Sequence, residues 1–259
     1  MSETIPLSFK YSIGITTFSK RFDLFKHTLT AVRKYRPTIP VVVVINGNHN
    51  AEFDETYRIE LINLLLQFDG VYPIFFPSFR GYAKLVNTLV IHSPTETLLH
   101  VQDDVDIVDE SFFTSFEEIL PKITRMCKFN GSFSHACYTK SGMIDIGWMD
   151  ERLLGIGEED GDLTYRYIEK YGEPFPEYYL SGIHNIVSPI RDESIAPGVG
   201  KYSKFNREFM GIWNPGHGKY IARDDSKIEG MFGYPMTKVM TDLEQYPYEQ
   251  FYLDNKDKL

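Results

Sequence analysis

Carboxylates crowd together twice in this chain. Gln102-Asp103-Asp104-Val105-Asp106 places three aspartates within four positions, with Asp109 just beyond. Gly157-Glu158-Glu159-Asp160-Gly161-Asp162 places four acids within five. Like charges gathered at one place repel, and partial burial makes the repulsion costlier. A divalent cation relieves it. Carboxylate oxygens suit hard cations such as Mn2+ or Mg2+, and one or two carboxylates plus phosphate oxygens commonly hold such an ion at a diphosphate. The plainer reading of the first cluster is a solvated loop in which Asp109 caps the following helix. For the second, acids in a first helical turn are stabilised by the macrodipole. Its functional reading is one carboxylate facing a crevice as a general base.

Two uncharged clusters accompany them. Thr16-Thr17-Phe18-Ser19 and Asn46-Gly47-Asn48 each follow an apolar run and offer donors and acceptors suited to a nucleobase and ribose. The apolar runs are what must position all of these groups. Tyr11 to Thr17 reads as a strand, and Lys20 to Tyr35 as an amphipathic helix with Phe22, Phe25, Leu29 and Val32 at three- and four-residue steps. Val41 to Ile45 is a run of β-branched residues that suits a strand buried on both faces. Glu55 to Gln67 (helix), Val71 to Phe76 (strand), Gly81 to Ile91 (helix) and Thr97 to Val101 (strand) continue the alternation. Such alternation predicts βαβ units: an α/β, Rossmann-like fold with a mixed, mostly parallel central sheet flanked by helices. In such sheets ligands bind beyond the carboxyl ends of the strands, so the polar clusters fall along one edge.

The second half is less regular. Ser111 to Met126 reads as a helix that Pro121 kinks or ends, and Ser132 to Ile146 as one or two strands. Asp160 to Tyr171 reads as a helix stopped by Gly172, and Glu177 to Ile183 as a further strand. Lys201 to Met210 reads as helical, 216–233 as loop, and the polar, aromatic C-terminus as a tail.

Composition bounds the function. A formal net charge of −9 over 259 residues argues against a nucleic-acid binder. The two cysteines, Cys127 and Cys137, have no metal-type spacing and read as reduced thiols. No run of about 18 apolar residues occurs and the N-terminus lacks the pattern of a signal peptide. The expectation is a cytoplasmic protein, soluble or peripheral at a membrane.

In sequence order, SIGITTFSKR, VVVVINGN, RGYAKLVNTLV, HVQDDVDI, GWMDERLLGIGEEDGDLTYRY and KYSKFNREFMGIW resemble the motifs of the GT-A fold glycosyltransferases, specifically the inverting glycosyltransferase family 2. The likeness covers about residues 10–215. It implies a GT-A catalytic domain over 1–215, with a nucleotide-sugar half (about 10–107) and an acceptor half (about 108–215), followed by an extension over 216–259.

Carried over by position, the resemblance makes Asp104 a metal ligand, with Asp103 on the ribose or diphosphate. Gln102 stands at the first position of the family's DXD motif, so the register Asp104-Val105-Asp106 keeps Asp106 as a candidate ligand. His184 is the candidate histidine ligand and His217 the second choice. Asp160 maps to the catalytic base and Glu159 to an acceptor-orienting partner. Thr16, Thr17 and Asn46 would hold the nucleotide, although the family usually has aspartate where Asn46 stands, and Lys84 would offset diphosphate charge. Trp148 and Trp213 are either acceptor platforms or core residues.

The implied reaction is inverting transfer of a sugar, such as a hexose, from a nucleotide-sugar to a hydroxyl of a glycan or glycolipid, assisted by Mn2+ or Mg2+, as in polysaccharide biosynthesis. A sugar-phosphate nucleotidyltransferase needs the same kind of sheet and metal, but ITTFSKRFD lacks the glycine-rich loop such enzymes carry. A nucleotide-sugar binding protein without catalysis is the third reading.

Overall fold

The computed structural model describes residues 9–18, 21–47, 54–151, 153, 155–186 and 206. The chain opens as β1 (Ser12–Thr17), α1 (Phe22–Tyr35), β2 (Val41–Ile45), α2 (Glu55–Leu65), β3 (Val71–Phe75), α3 (Tyr82–His92) and β4 (Thr97–Gln102). It continues through β5 (Val105–Ile107), α4 (Ser111–Ile119), β6 (Met126–Phe129), β7 (Ser132–Thr139), α5 (Lys140–Ile146), α6 (Glu159–Tyr171), β8 (Glu177–Tyr178) and β9 (Ile183–Asn185).

Seven strands form one sheet in the order β3-β2-β1-β4-β7-β6-β8. The first four are parallel, β7 runs antiparallel to β4 and β6, and β8 is parallel to β6. The α/β expectation of a mixed, mostly parallel sheet between helices therefore holds. A separate ribbon pairs β5 with β9 and sets Asp106 opposite His184.

The run VVVVI is continuous because both faces of β2 are covered. Val41, Val43 and Ile45 pack in one core with Phe25 and Leu29 of α1, Leu61 of α2 and Phe112 and Phe116 of α4. Val42 and Val44 pack in the other with Leu85 and Leu89 of α3, Met143 of α5 and Leu163 and Tyr167 of α6. Each such side chain removed from water contributes about 1.5–3 kcal/mol. The sheet's edges are β3, with Pro73 at its centre, and the two-residue β8.

Three expectations need correction. Glu177 to Ile183 is not one strand but parts of two, β8 in the main sheet and β9 in the ribbon, because β8 follows β6 while β9 turns to pair with β5. The helix read from Ser111 ends at Ile119 and gives way to a 3₁₀ turn over Leu120–Lys122, where Pro121 has no N–H for a further α-helical bond. Met126–Phe129 is then strand, buried against β7. The run Ser132 to Ile146 is strand only to Thr139, whose side chain then caps α5 by accepting from Gly142 N at 3.0 Å. Helix α6 ends as read, on Gly172 in the left-handed region with φ +67°. The segments 216–233 and 216–259, and all of 201–210 except the helical, buried Asn206, lie outside the described residues.

Candidate active site

The carboxyl ends of β1, β2 and β4 meet as the alternation requires, but their polar side chains first serve one another. Thr17 Oγ1 donates to Asp103 Oδ2 at 2.7 Å, and Thr16 Oγ1 lies 3.3 Å from His100 Nε2. Arg21, one residue before α1, donates to Asp103 Oδ1 at 2.6 Å and more loosely to Asp104 Oδ2 at 3.5 Å. Asp103 is fully buried. Burial raises its pKa to about 6, against the opposing pull of Arg21.

Asn46 is also fully buried, and its amide is committed to protein. Oδ1 accepts from Arg80 N and Gly47 N, and Nδ2 donates to Arg80 O at 2.8 Å. Asn46 therefore holds the 78–80 loop instead of facing a nucleobase. Gly47 is needed beside it, because a Cβ there would lie 2.3 Å from the Ser78 carbonyl carbon.

The three residues expected to ligate a metal are not assembled as one set. Among the described residues, no group of three His, Cys, Asp or Glu side chains is arranged to hold a metal ion. Asp106 faces the α1 side, where His27 Nε2 lies 2.8 Å from Oδ1 and His184 Nε2 lies 3.5 Å from Oδ2. It lines an open groove of about 550 Å³ with Asp23, Lys26, His27, Lys34 and Tyr35. Asp104 instead lies beside Arg21, and its Oδ1 is buried with no hydrogen-bond partner. An orphaned carboxylate oxygen suits a divalent cation whose other ligands are phosphate oxygens. The fit is to Asp104 alone, not to a cage that includes Asp106 and His184.

The second acidic cluster is divided by burial into distinct roles. Asp162 and Arg166, both fully buried, form an i,i+4 pair at 2.6 Å on α6. Arg166 also donates to the carbonyls of Ile146 and Trp148, fastening the turn after α5 to this helix. Glu159 is 5% exposed and accepts from Gly157 N at 2.6 Å. Burial, and then the neighbouring charge of Asp160, raise its pKa to about 8. Asp160 is only partly buried, with Oδ1 accepting from Gly161 N at 2.8 Å.

The approach to α6 is heavily braced. Asn87 of α3 donates to Met149 O and Glu151 Oε1 and accepts from Met149 N. Lys84 pairs with the buried Glu151 at 3.0 Å, so its charge balances a protein carboxylate instead of awaiting a diphosphate. Tyr82 N donates to Gly155 O at 2.7 Å, and Asn206 Nδ2 to Gly157 O at 2.7 Å. Trp148 and Glu158 adopt positive φ of 68° and 77° in this stretch, a strain that surrounding contacts must hold. Trp148 packs against the α3–α6 core, and Trp213 and His217 lie outside the described residues.

Two buried tyrosines feel these carboxylates unequally. The pKa of Tyr82 is pushed well above the phenol range, chiefly by burial and further by Tyr138, Glu159 and Asp104. That of Tyr138 is raised likewise by burial, then by Asp160 and less by Glu159. Tyr82 thus senses carboxylates of both clusters, and Tyr138 only those of the α6 start. The sequence reading missed Arg21, Tyr82, His100 and Tyr138. The available signals were a histidine inside the apolar strand TLLHV and an arginine directly after the first polar strand end.

No protein-family model matches the sequence, and no curated protein matches it significantly. Solved structures do resemble it. GalNAc-T7 with UDP, GalNAc and Mn2+ aligns with a TM-score of 0.60 at 9% identity, over 97% of this chain and 57% of that one. Glucosyl-3-phosphoglycerate synthase from Mycobacterium tuberculosis, with Mn2+, UDP and glucosyl-3-phosphoglycerate, aligns at 0.54 and 11% identity, over 78% and 79%. Mannosyltransferase PcManGT from Pyrobaculum calidifontis, with GDP-Man and Mn2+, aligns at 0.51 and 11% identity, over 66% and 56%. The fold is that of the GT-A glycosyltransferases, as the motifs implied. The chain spans just over half the length of GalNAc-T7 and of the mannosyltransferase.

Proposed function

We propose that this chain transfers a sugar from a nucleotide-sugar donor to an acceptor hydroxyl, with inversion and with help from Mn2+ or Mg2+. The observation that carries the reading is the buried Asp104 oxygen left without a hydrogen-bond partner just beyond β4, at the carboxyl ends of a GT-A sheet. A divalent cation between Asp104 and the diphosphate would neutralise negative charge on the leaving nucleotide. The structures aligned above that hold Mn2+ together with UDP or GDP-Man support this reading.

Burial keeps Glu159 largely protonated at neutral pH, so it can donate to an acceptor oxygen but cannot serve as base. Asp160, the more exposed of the two, is the carboxylate placed to take the acceptor proton. The freed oxygen then attacks the anomeric carbon from the face opposite the diphosphate, which inverts that centre. Arg21, beside both Asp103 and Asp104, would lend cationic charge to a diphosphate held at Asp104. We assign the acceptor to the glycan or glycolipid class. None of the described helices is long and apolar enough to cross a membrane, so a lipid-borne acceptor would be met at the membrane surface.

Thermal-shift measurements with UDP-, GDP-, dTDP- and CMP-sugars, each with and without Mn2+, test the donor reading. Stabilisation by one nucleotide class that is strengthened by Mn2+ is the expected result. No response to any of them would refute a donor site. Asp160→Asn should then abolish most transfer while leaving donor binding intact, whereas a non-catalytic binder would show no transfer to lose.

A further inference from the structure

Helix α6 begins without a side-chain cap of its own. Its cap residue, Glu158, makes no capping hydrogen bond, although Glu159, Asp160 and Asp162 all lie in the first turn. The chain just before it bends through positive φ at Gly155 (60°), Gly157 (125°) and Glu158 (77°). Glycine adopts such angles freely, whereas Glu158 does so at a cost. A turn of this kind keeps its shape only where contacts from outside fix it.

Two carbonyls of the turn are fixed in that way. Tyr82 N, at the start of α3, donates to Gly155 O at 2.7 Å. Asn206 Nδ2 donates to Gly157 O at 2.7 Å. Asn206 is fully buried and helical, and it lies beyond β9 in the chain, so a distant residue reaches back to the entry of α6. Gly157 N in turn donates to Glu159 Oε2 at 2.6 Å. The Asn206 amide and the Glu159 carboxyl thus hold Gly157 by its two polar atoms, a few residues ahead of Asp160.

The plain explanation is an asparagine that pairs an otherwise orphaned carbonyl, since buried carbonyls are normally bonded. The place of this one argues for more. Released from Asn206, the Gly157–Glu158 peptide can rotate, because Gly157 tolerates either backbone region and Glu158 is relieved on leaving its own. Such a rotation re-aims the first turn of α6, where Glu159 and Asp160 stand. We propose that Asn206 is a positioning residue for the base: by holding Gly157 O, it keeps the α6 entry in the conformation that buries Glu159 and sets Asp160 towards the acceptor. This rests on the transferase reading above, which makes Asp160 the base, and adds a residue that acts through Gly157.

Glu159 reports the shape of the turn without any substrate. In the intact fold, burial and then Asp160 raise its pKa to about 8, so the wild type loses stability against Glu159→Gln as pH rises from 5 to 8. The groups bearing on it are Asp160 and Glu158 beside it, with Tyr82 of α3 and Tyr138 of β7. Asn206→Ala removes the amide, and Asn206→Leu removes it while refilling the space. Urea unfolding at pH 5, 6, 7 and 8 compares the full chain with Glu or Gln at 159, in the wild type and in both Asn206 backgrounds. The pH-dependent gap between Glu and Gln should fall to less than half in either variant, because a loosened turn lets water reach Glu159. A lower melting temperature with an unchanged gap would make Asn206 a plain carbonyl partner and overturn the proposal. A chain that folds in neither variant would overturn it too, because Asn206 would then serve the whole fold.

Turnover gives the second readout: release of UDP or GDP from UDP-glucose, UDP-N-acetylglucosamine or GDP-mannose with Mn2+, water being the acceptor. In Asn206→Ala, kcat should fall about tenfold while the donor KM stays within about twofold. A kcat equal to that of the wild type would refute the positioning role. A wild type that neither binds nor turns over any sugar nucleotide would sink the transferase reading, and with it Asp160 as base, even where the gap shrinks as expected.

Discussion

Glu159→Gln isolates the consequence of burying one acid at the start of α6. In the fold, burial and then Asp160 raise the Glu159 pKa to about 8, from the ordinary 4.5 to which it returns on unfolding. Between those values the native protein keeps a proton that the unfolded chain has released. A native pKa raised in this way gives stability that is whole below the unfolded value and is lost as pH rises towards the folded one. The slope approaches about 1.4 kcal/mol per pH unit, so the loss between pH 5 and pH 8 amounts to a few kcal/mol. Glutamine keeps the shape and cannot titrate. Urea unfolding of both proteins at pH 5, 6, 7 and 8 should therefore show the variant gaining on the wild type by that amount across the series. Titrating groups remote from Glu159 are common to the two proteins and cancel in the difference. A difference that stays constant within about 0.5 kcal/mol would refute both the raised pKa and the assignment of Glu159 as the protonated partner of Asp160.

Three further substitutions probe the frame around the site. Arg166→Met strands the buried Asp162 and releases the carbonyls of Ile146 and Trp148; denaturant unfolding should show a loss of about 3–5 kcal/mol. Arg21→Met leaves the buried Asp103 without its ion pair. The stability loss should be largest near pH 8 and shrink towards pH 5, where Asp103 takes up a proton, and a pH-independent loss would count against that pairing. Gly47→Ala drives a methyl against the Ser78 backbone, so the melting temperature should fall by several degrees, while Gly172→Ala, open around its Cβ and opposed only by its left-handed φ, falls less.

The first half of the fold was legible because β1, β2 and β4 are covered on both faces, which leaves continuous apolar runs such as VVVVI between amphipathic helices. The second half was harder for local reasons. KSGMIDI carries a glycine and β-branched residues and so looks like strand, yet the Thr139 cap turns it into α5. MCKF lies beyond Pro121 and becomes strand through its pairing with β7, which nothing local announces. The acidic site residues could be found because clustered charge needs an explanation wherever it stands. Their division of labour could not, since Asp162, Glu159 and Asp160 differ mainly in burial. Likewise, Asn46 and Lys84 are the residue types that would hold a ligand, and only their distances to Arg80 and Glu151 show that protein groups occupy them. Tyr138 gave no signal, because a tyrosine in a hydrophobic stretch reads as core until its hydroxyl is found unpaired.

The manner in which the sheet ends bears on how these molecules meet one another. Its outermost strand on one side, β3, carries Pro73, which has no N–H to offer a newcomer, and the opposite margin, β8, is two residues long. Among the described residues, neither border presents a run of donors and acceptors long enough to template an added strand. Copies colliding in a concentrated solution therefore find little to zip onto. Long-lived assemblies of the folded domain should form through side-chain faces, and their stability should follow salt and apolar exposure instead of backbone ladders.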